Sequence, residues 1–226
     1  MTEETAIRHP ATFSPEILDV IDELLGDARW VLDPFAGIGG IHELCEDLGA
    51  VGHQYGRYTF GVEIEKEWAD QHIRTVHGSA LALPWGASAF DAIATSPTYG
   101  NRMADSYDGR DGSARSTYRI ALGEPLNPEN SGRMQWGKKY RALHRKAWAE
   151  AVRVLKPGGR FVLNCKDHVR KGEVQRVTDW HAATLRDLGL KTEIWRHVET
   201  KGYGYGANAT ARVDAEDVVL LRKPKR

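Results

Sequence analysis

The 226-residue chain has only two cysteines, Cys45 and Cys165, and neither sits in a CxxC or Cys/His pattern. That excludes a disulfide scaffold and makes a structural metal site unexpected. No apolar run approaches the roughly 18 residues of a membrane-spanning helix. The start, Met1 to Thr5, is acidic and has no apolar stretch, so no secretory signal is expected and the cytoplasm is the expected location. No Gly-Lys-Ser/Thr follows a glycine turn, which excludes a phosphate loop of the nucleoside-triphosphatase kind. There is no internal repeat. Net charge is missing too, because 31 Lys+Arg balance 31 Asp+Glu.

What is present is a globular composition, with 41% hydrophobic and 27% charged residues. The length suits one α/β domain over residues 1–226, large enough to bury its own core. The balanced charge hides a division. Residues 1–98 hold 5 basic and 16 acidic side chains, whereas residues 99–226 hold 26 and 15. A basic second half suggests an anionic partner, with nucleic acid the leading one.

Strand and helix signals alternate. Ser14-Pro15 reads as a helix start, with Ser14 as the cap and Pro15 at the first helical position. Ile17, Leu18, Ile21, Leu24 and Leu25 follow at helical spacing. Strands are expected at 30–33, 58–64, 75–77, 90–95, 160–165, 190–198 and 216–222. Helices are expected at 41–48, 65–73, 139–155 and 173–188. Lys156-Pro157-Gly158-Gly159 reads as a stop, and residues 99–138 show no periodicity. The alternation implies a mostly parallel sheet with helices on both faces, and the last two strands imply an antiparallel edge. Trp30, Trp148, Trp180 and Cys165 read as core.

Two loops carry chemistry. Val31-Leu32-Asp33-Pro34-Phe35-Ala36-Gly37-Ile38-Gly39-Gly40 runs from a strand into a glycine turn and a helix. Its GxGG spacing differs from the GxGxxG of nicotinamide proteins. Asp33 is placed to orient the loop or to bind a cationic amine. Glu63 ends the next strand, where an acid typically holds ribose hydroxyls. The second loop, Ser96-Pro97-Thr98-Tyr99, follows the fourth strand. The loop resembles the (Asp/Asn/Ser)-Pro-Pro-(Tyr/Phe) motif of methyltransferases acting on an exocyclic amine, and such an amine, conjugated to a base ring, is a poor nucleophile that needs acceptors for its protons. Ser96 Oγ and the Pro97 carbonyl supply two, the proline aims its carbonyl, and Tyr99 can stack on an extruded base.

The first loop resembles the S-adenosylmethionine motif of class I methyltransferases, in the form found among amino-methylating DNA enzymes. The second resembles that family's (Asp/Asn/Ser)-Pro-Pro-(Tyr/Phe) motif, with Thr98 in place of the second proline. The resemblance implies a Rossmann-like, seven-stranded α/β fold and S-adenosyl-L-methionine as cofactor. It places Asp33, Pro34, Phe35, Ala36, Gly37, Gly39 and Gly40 around the methionine part. Glu63 would hold the ribose and Ile64 would pack on the adenine. His77 to Pro84 is similar to the third motif. There Ser79 replaces the usual Asp, so Ser79 or the backbone near Ala80 would read the adenine amine. His9 to Ser14, with Phe13, resembles the segment that closes over the cofactor. Ser96, Pro97 and Tyr99 would be the catalytic set, Ser96 also facing the cofactor, and no metal is needed. Serine at the first position leans toward cytosine N4 over adenine N6 of DNA. An RNA base amine and a cofactor-binding protein without catalysis, its loop decayed at Thr98, are the alternatives.

The stretch at 100–138 reads as an irregular basic insertion beside the catalytic loop. Arg102, Arg110, Arg115, Arg119, Arg133, Lys138, Lys139 and Arg141 interleave with Tyr107, Tyr118, Trp136 and Tyr140. That mixture suits phosphate contacts and base stacking. Lys166 and Arg170, after the fifth strand, are further phosphate contacts. Tyr203 and Tyr205 lie in a glycine-rich turn.

Overall fold

The computed structural model describes residues 9, 11–45, 56–100, 118–170, 172–200 and 213–225. Helix α1 (Pro15–Leu25) starts where the sequence signals it, with Ser14 Oγ accepting from the Ile17 N–H. Its five buried apolar side chains, Ile17, Leu18, Ile21, Leu24 and Leu25, stabilise by roughly 1.5–3 kcal/mol each. Strands β1 (Trp30–Asp33), β2 (Tyr58–Glu63), β3 (Thr75–His77) and β4 (Phe90–Thr95) follow, with short helix α2 (Lys66–Ala69) between β2 and β3. Helices α3 (Tyr118–Leu122) and α4 (Lys138–Val154) precede β5 (Leu155–Cys165). A small hairpin, β6 (His168–Arg170) and β7 (Glu173–Gln175), leads to α5 (Val177–Asp187), β8 (Lys191–Glu199) and β9 (Ala215–Arg222).

Seven strands form one sheet in the order β3-β2-β1-β4-β5-β9-β8. Pairings among β1 to β5 are parallel, and β9 is antiparallel to both β5 and β8. The last strand therefore inserts between β5 and β8, leaving β8 at the edge. Side chains alternate between two cores. Leu32, Ile93, Phe161, Leu163, Val219 and Leu221 face α4 and α5, whereas Val31, Ala92, Ala94, Val162, Val218 and Leu220 face α1. This two-residue period is what buries both faces of the sheet.

Several expected elements differ. In place of a helix from 41 to 48, the described residues show a 3-10 turn over Gly40–Leu44, with Cys45 extended. His42 dominates there, its ring nitrogens bonding Thr59 and Thr75 across the sheet. Residues 46–50 lie outside the described residues. Helix α2 stops at Ala69, because Ile73 is 99% exposed and gives the helix no further apolar face. Residues 173–175 belong to a hairpin turned by Gly172 at φ +80°, so α5 starts only at Val177. The helix ends at Val154, as the Lys156-Pro157-Gly158-Gly159 stop signals, but that stretch lies inside β5, which starts at Leu155 and not at 160 and is irregular in register there. Trp30 is half-exposed and stacks on Phe60, and Trp180 is half-buried, whereas Trp148 and Cys165 are fully buried. The stretch before α4 is not structureless, since α3 and a turn at Ser131–Arg133 occupy it.

Candidate active site

Strand order reverses between β1 and β4, and in open α/β sheets ligands bind beyond the carboxyl ends of strands at such a point. A cavity of about 790 Å³ lies there. It is lined by Phe13, Asp33, Pro34, Phe35, Ala36, Gly37, Gly40, Glu63, Ile64, Ser79, Ala80, Ser96, Pro97 and Tyr99. Of the expected cofactor and catalytic residues within the described chain, Gly39 alone is not in the wall. It sits at φ +89° beneath the loop, where a Cβ would meet His42 at 2.7 Å. Its role is to let the loop pack. The segment before α1 covers one side through His9, Ala11, Thr12 and Phe13, and a Cβ on Gly37 would meet His9 at 3.1 Å.

Asp33 is 1% exposed, and its Oδ1 accepts from the Phe35 N–H at 2.9 Å and from Thr95 Oγ at 2.6 Å. It therefore orients the loop. Glu63 Oε2 accepts from the Gly37 N–H and Oε1 from the Glu65 N–H, each at 3.0 Å. Burial pushes both carboxyls up to about 7, against the pull of these hydrogen bonds. Ser79 Oγ accepts from the Leu81 N–H at 3.2 Å, which leaves its own proton to donate. Gly61 is a feature the sequence reading missed. A Cβ there would meet Ala36 at 2.7 Å, so its absence lets the glycine loop lie against β2.

Ser96 belongs to a network whose direction can be worked out. Tyr99 donates to Glu216 Oε2 at 3.2 Å, and Asn164 Nδ2 donates to the same oxygen at 2.9 Å. With the tyrosine proton committed, the 2.9 Å contact between Ser96 Oγ and Tyr99 Oη has the serine as donor. Asn164 Nδ2 also reaches Ser96 Oγ at 3.3 Å. The serine is thus left with a lone pair and no spare proton. Asn164 Oδ1 is buried without a partner, a cost of about 1–3 kcal/mol that the amide bears to keep its NH2 on the carboxylate. Neither Asn164 nor Glu216 was among the expected site residues.

The insertion contributes to the wall through Tyr118, Glu129, Asn130 and Ser131. It is anchored by buried Glu65, whose Oε1 accepts from the Asn127 N–H at 2.8 Å and from Asn130 Nδ2 at 2.6 Å. Among the expected nucleic-acid contacts, Arg119, Lys138 and Lys139 are exposed outside the cavity. Lys166 instead donates to Thr200 Oγ at 2.7 Å, and Arg170 bonds Gln135 and the Trp136 carbonyl. Trp136 joins the loop after β4 through its backbone N–H, which donates to the Gly100 carbonyl at 3.1 Å, and Arg141 lies 4.4 Å over its ring. Arg102, Arg110, Arg115, Tyr107, Tyr203 and Tyr205 lie outside the described residues.

No protein-family model and no curated sequence matches the chain. Solved structures do. The chain is similar to the 4+2 cyclase SpnF, with TM-score 0.56 and 15% identity over 96% of this chain and 85% of that one. It is similar to a SAM-dependent methyltransferase from Methanosarcina mazei, with TM-score 0.54 and 13% identity over 96% and 100%. It is also similar to a geranyl diphosphate methyltransferase solved with GPP and sinefungin, with TM-score 0.54 and 12% identity over 91% and 77%. At these identities the likeness establishes architecture: the chain has the Rossmann-like fold of class I SAM-dependent methyltransferases.

Proposed function

We propose that the protein transfers a methyl group from S-adenosyl-L-methionine to the exocyclic amine of a DNA base, with cytosine N4 favoured over adenine N6. The fold does not choose the reaction, since the same architecture carries a cyclase. The observation that carries the proposal is the Ser96 lone pair, held beside the Pro97 carbonyl at the sheet's switch point.

The cavity suits the cofactor. Its volume lies within the range of small-molecule sites. Among the described residues its wall includes the carboxylates of Asp33, Glu63, Glu129 and Glu216 but no lysine or arginine. Such a wall favours a cation and disfavours the pyrophosphate of a nicotinamide dinucleotide. Glu63, with the Gly37 amide beside it, would hold the ribose, and Asp33 to Gly40 would surround the methionine part. When bound, the cofactor supplies an electrophilic methyl on a positively charged sulfur.

The chain's own residues prepare the acceptor. Ser96 Oγ and the Pro97 carbonyl take the two amine protons as hydrogen bonds, turning the nitrogen lone pair toward the methyl. The methylated nitrogen then sheds one proton. Ser96 receives it at Oγ while its own proton passes to Tyr99 Oη and the tyrosine proton passes to Glu216. Positioning supplies most of the acceleration.

A nucleic-acid acceptor fits the surface around the loop. Helix α4 opens on Lys138 and Lys139, with no acid in its first turn and no side-chain cap. Cations at that end cost about 0.3–1 kcal/mol each against the helix dipole. A phosphate backbone across this end offsets that cost.

The test is transfer of labelled methyl to duplex DNA and to total RNA, followed by nucleoside mass spectrometry. N4-methylcytosine in DNA is the expected product. Label in RNA alone overturns the DNA assignment, and cofactor binding without transfer to either overturns the enzyme.

A further inference from the structure

Thr98 stands where similar loops have a proline, whose ring would fix the backbone. We propose that Tyr140 and Ser131 clamp Thr98 from two sides and take over that lock, so that the threonine loop is a working form and not a decayed one. The inference rests on the amine-methylation reading.

One side of the clamp comes from the helices. Trp148 Nε1 lies 2.9 Å from His181 Nδ1. An indole N–H only donates, so Nδ1 is the bare nitrogen. The neutral ring then carries its proton on Nε2, which donates to Tyr140 Oη at 2.9 Å. The tyrosine has one proton left to give, and it goes to the Thr98 carbonyl. Trp148, His181 and Tyr140 are all fully buried. Burial also holds the imidazole well below its usual pKa, so it stays neutral and the chain keeps one direction.

The other side comes from the insertion. Thr98 Oγ donates to Ser131 Oγ at 2.9 Å. Ser131 opens the turn that Asn130 caps, its Oδ1 accepting from the Gly132 N–H at 2.7 Å, and Asn130 is itself held by Glu65. A proline has no hydroxyl for this second contact. Together the two contacts fix the peptide between Pro97, whose carbonyl meets the amine, and Tyr99, whose hydroxyl orders Ser96.

Single-turnover methyl transfer by the full chain tests this, with cofactor affinity measured by calorimetry alongside. Tyr140→Phe is expected to slow transfer by about 10–100-fold, the scale of a misplaced reacting group. Its cofactor affinity should stay within about twofold of wild type. Ser131→Ala should slow transfer in the same way, without touching the helix-side chain. Adding Thr98→Pro to Tyr140→Phe should restore the rate to within about threefold, which repair of a purely structural defect would not do. Unchanged rates in both single variants, or no rescue by proline, overturn the clamp while leaving the function standing. A wild-type chain that binds cofactor yet methylates neither DNA nor RNA overturns both.

Discussion

Two carboxyls in the cavity wall, Asp33 and Glu63, are held at about 7 by burial, far above their ordinary values of 3.8 and 4.5. A group whose folded pKa is raised holds its proton longer in the folded than in the unfolded chain. These two therefore favour folding at low pH, and their contribution falls as pH rises from about 4 through 7. Without cofactor, the melting temperature should be higher at pH 5 than at pH 8 by their share, and a Glu63→Gln variant should flatten that difference. A cationic cofactor and ribose hydroxyls favour the ionised forms instead. Cofactor affinity should rise about tenfold from pH 6 to pH 8 for each carboxyl that ionises on binding, with protons released in calorimetry. An affinity that falls over this range would contradict the assignment. Glu216→Gln keeps an acceptor for Tyr99 but removes the proton's destination. Transfer should slow by about 100-fold, the lower range of general-base effects, a larger loss than any in cofactor affinity. Asp33 and Ser96 were legible because each stands at a strand's end directly before a proline, and Glu63 because it ends the strand that follows the glycine loop. Glu216 was not, since it meets Tyr99 from 117 residues away and no local pattern marks it.

At the level of elements, the parallel strands were read closely. β1, β4 and the mostly exposed β3 have the bounds expected of them, β1 and β4 through stretches that are mostly apolar. Helices failed where a polar side chain or an exposed apolar one broke the stripe. His42 replaced the expected helix after the glycine loop by a 3-10 turn, and exposed Ile73 left α2 only four residues long. The hairpin of β6 and β7 gave no advance sign, because Val174, half-exposed, mimics the start of an amphipathic helix. The insertion looked structureless because its order comes from Glu65, 62 residues before the Asn127 amide it binds. Gly61 joins β2 to the cofactor loop by what it lacks. Gly61→Ala must displace Ala36 or Thr75, which a Cβ would approach at 2.7 and 2.8 Å. The expected outcome is a loss of about 1–3 kcal/mol in stability and weaker cofactor binding, measured by denaturant melts and calorimetry.

Across the whole molecule, most of the cavity wall comes from the acidic half of the chain, and the second half adds Tyr99, Tyr118, Glu129, Asn130, Ser131, Leu143 and Glu216 to it. DNA affinity should fall steeply with salt. Removing Lys138 and Lys139 together should reduce the slope of log affinity against log salt by about 2, with little change in cofactor binding. An unchanged slope would place the phosphates elsewhere. Within the acidic half, the single Oδ1 of Asp33 holds both the Phe35 amide after β1 and the Thr95 hydroxyl at the end of β4. On the proposed reaction, that oxygen is a common datum for the loop that would carry the methyl donor and the loop that would present the amine. The gap between donor and acceptor is then toleranced over two hydrogen bonds, not over the width of the sheet, so the sheet can breathe without throwing the reacting atoms out of line.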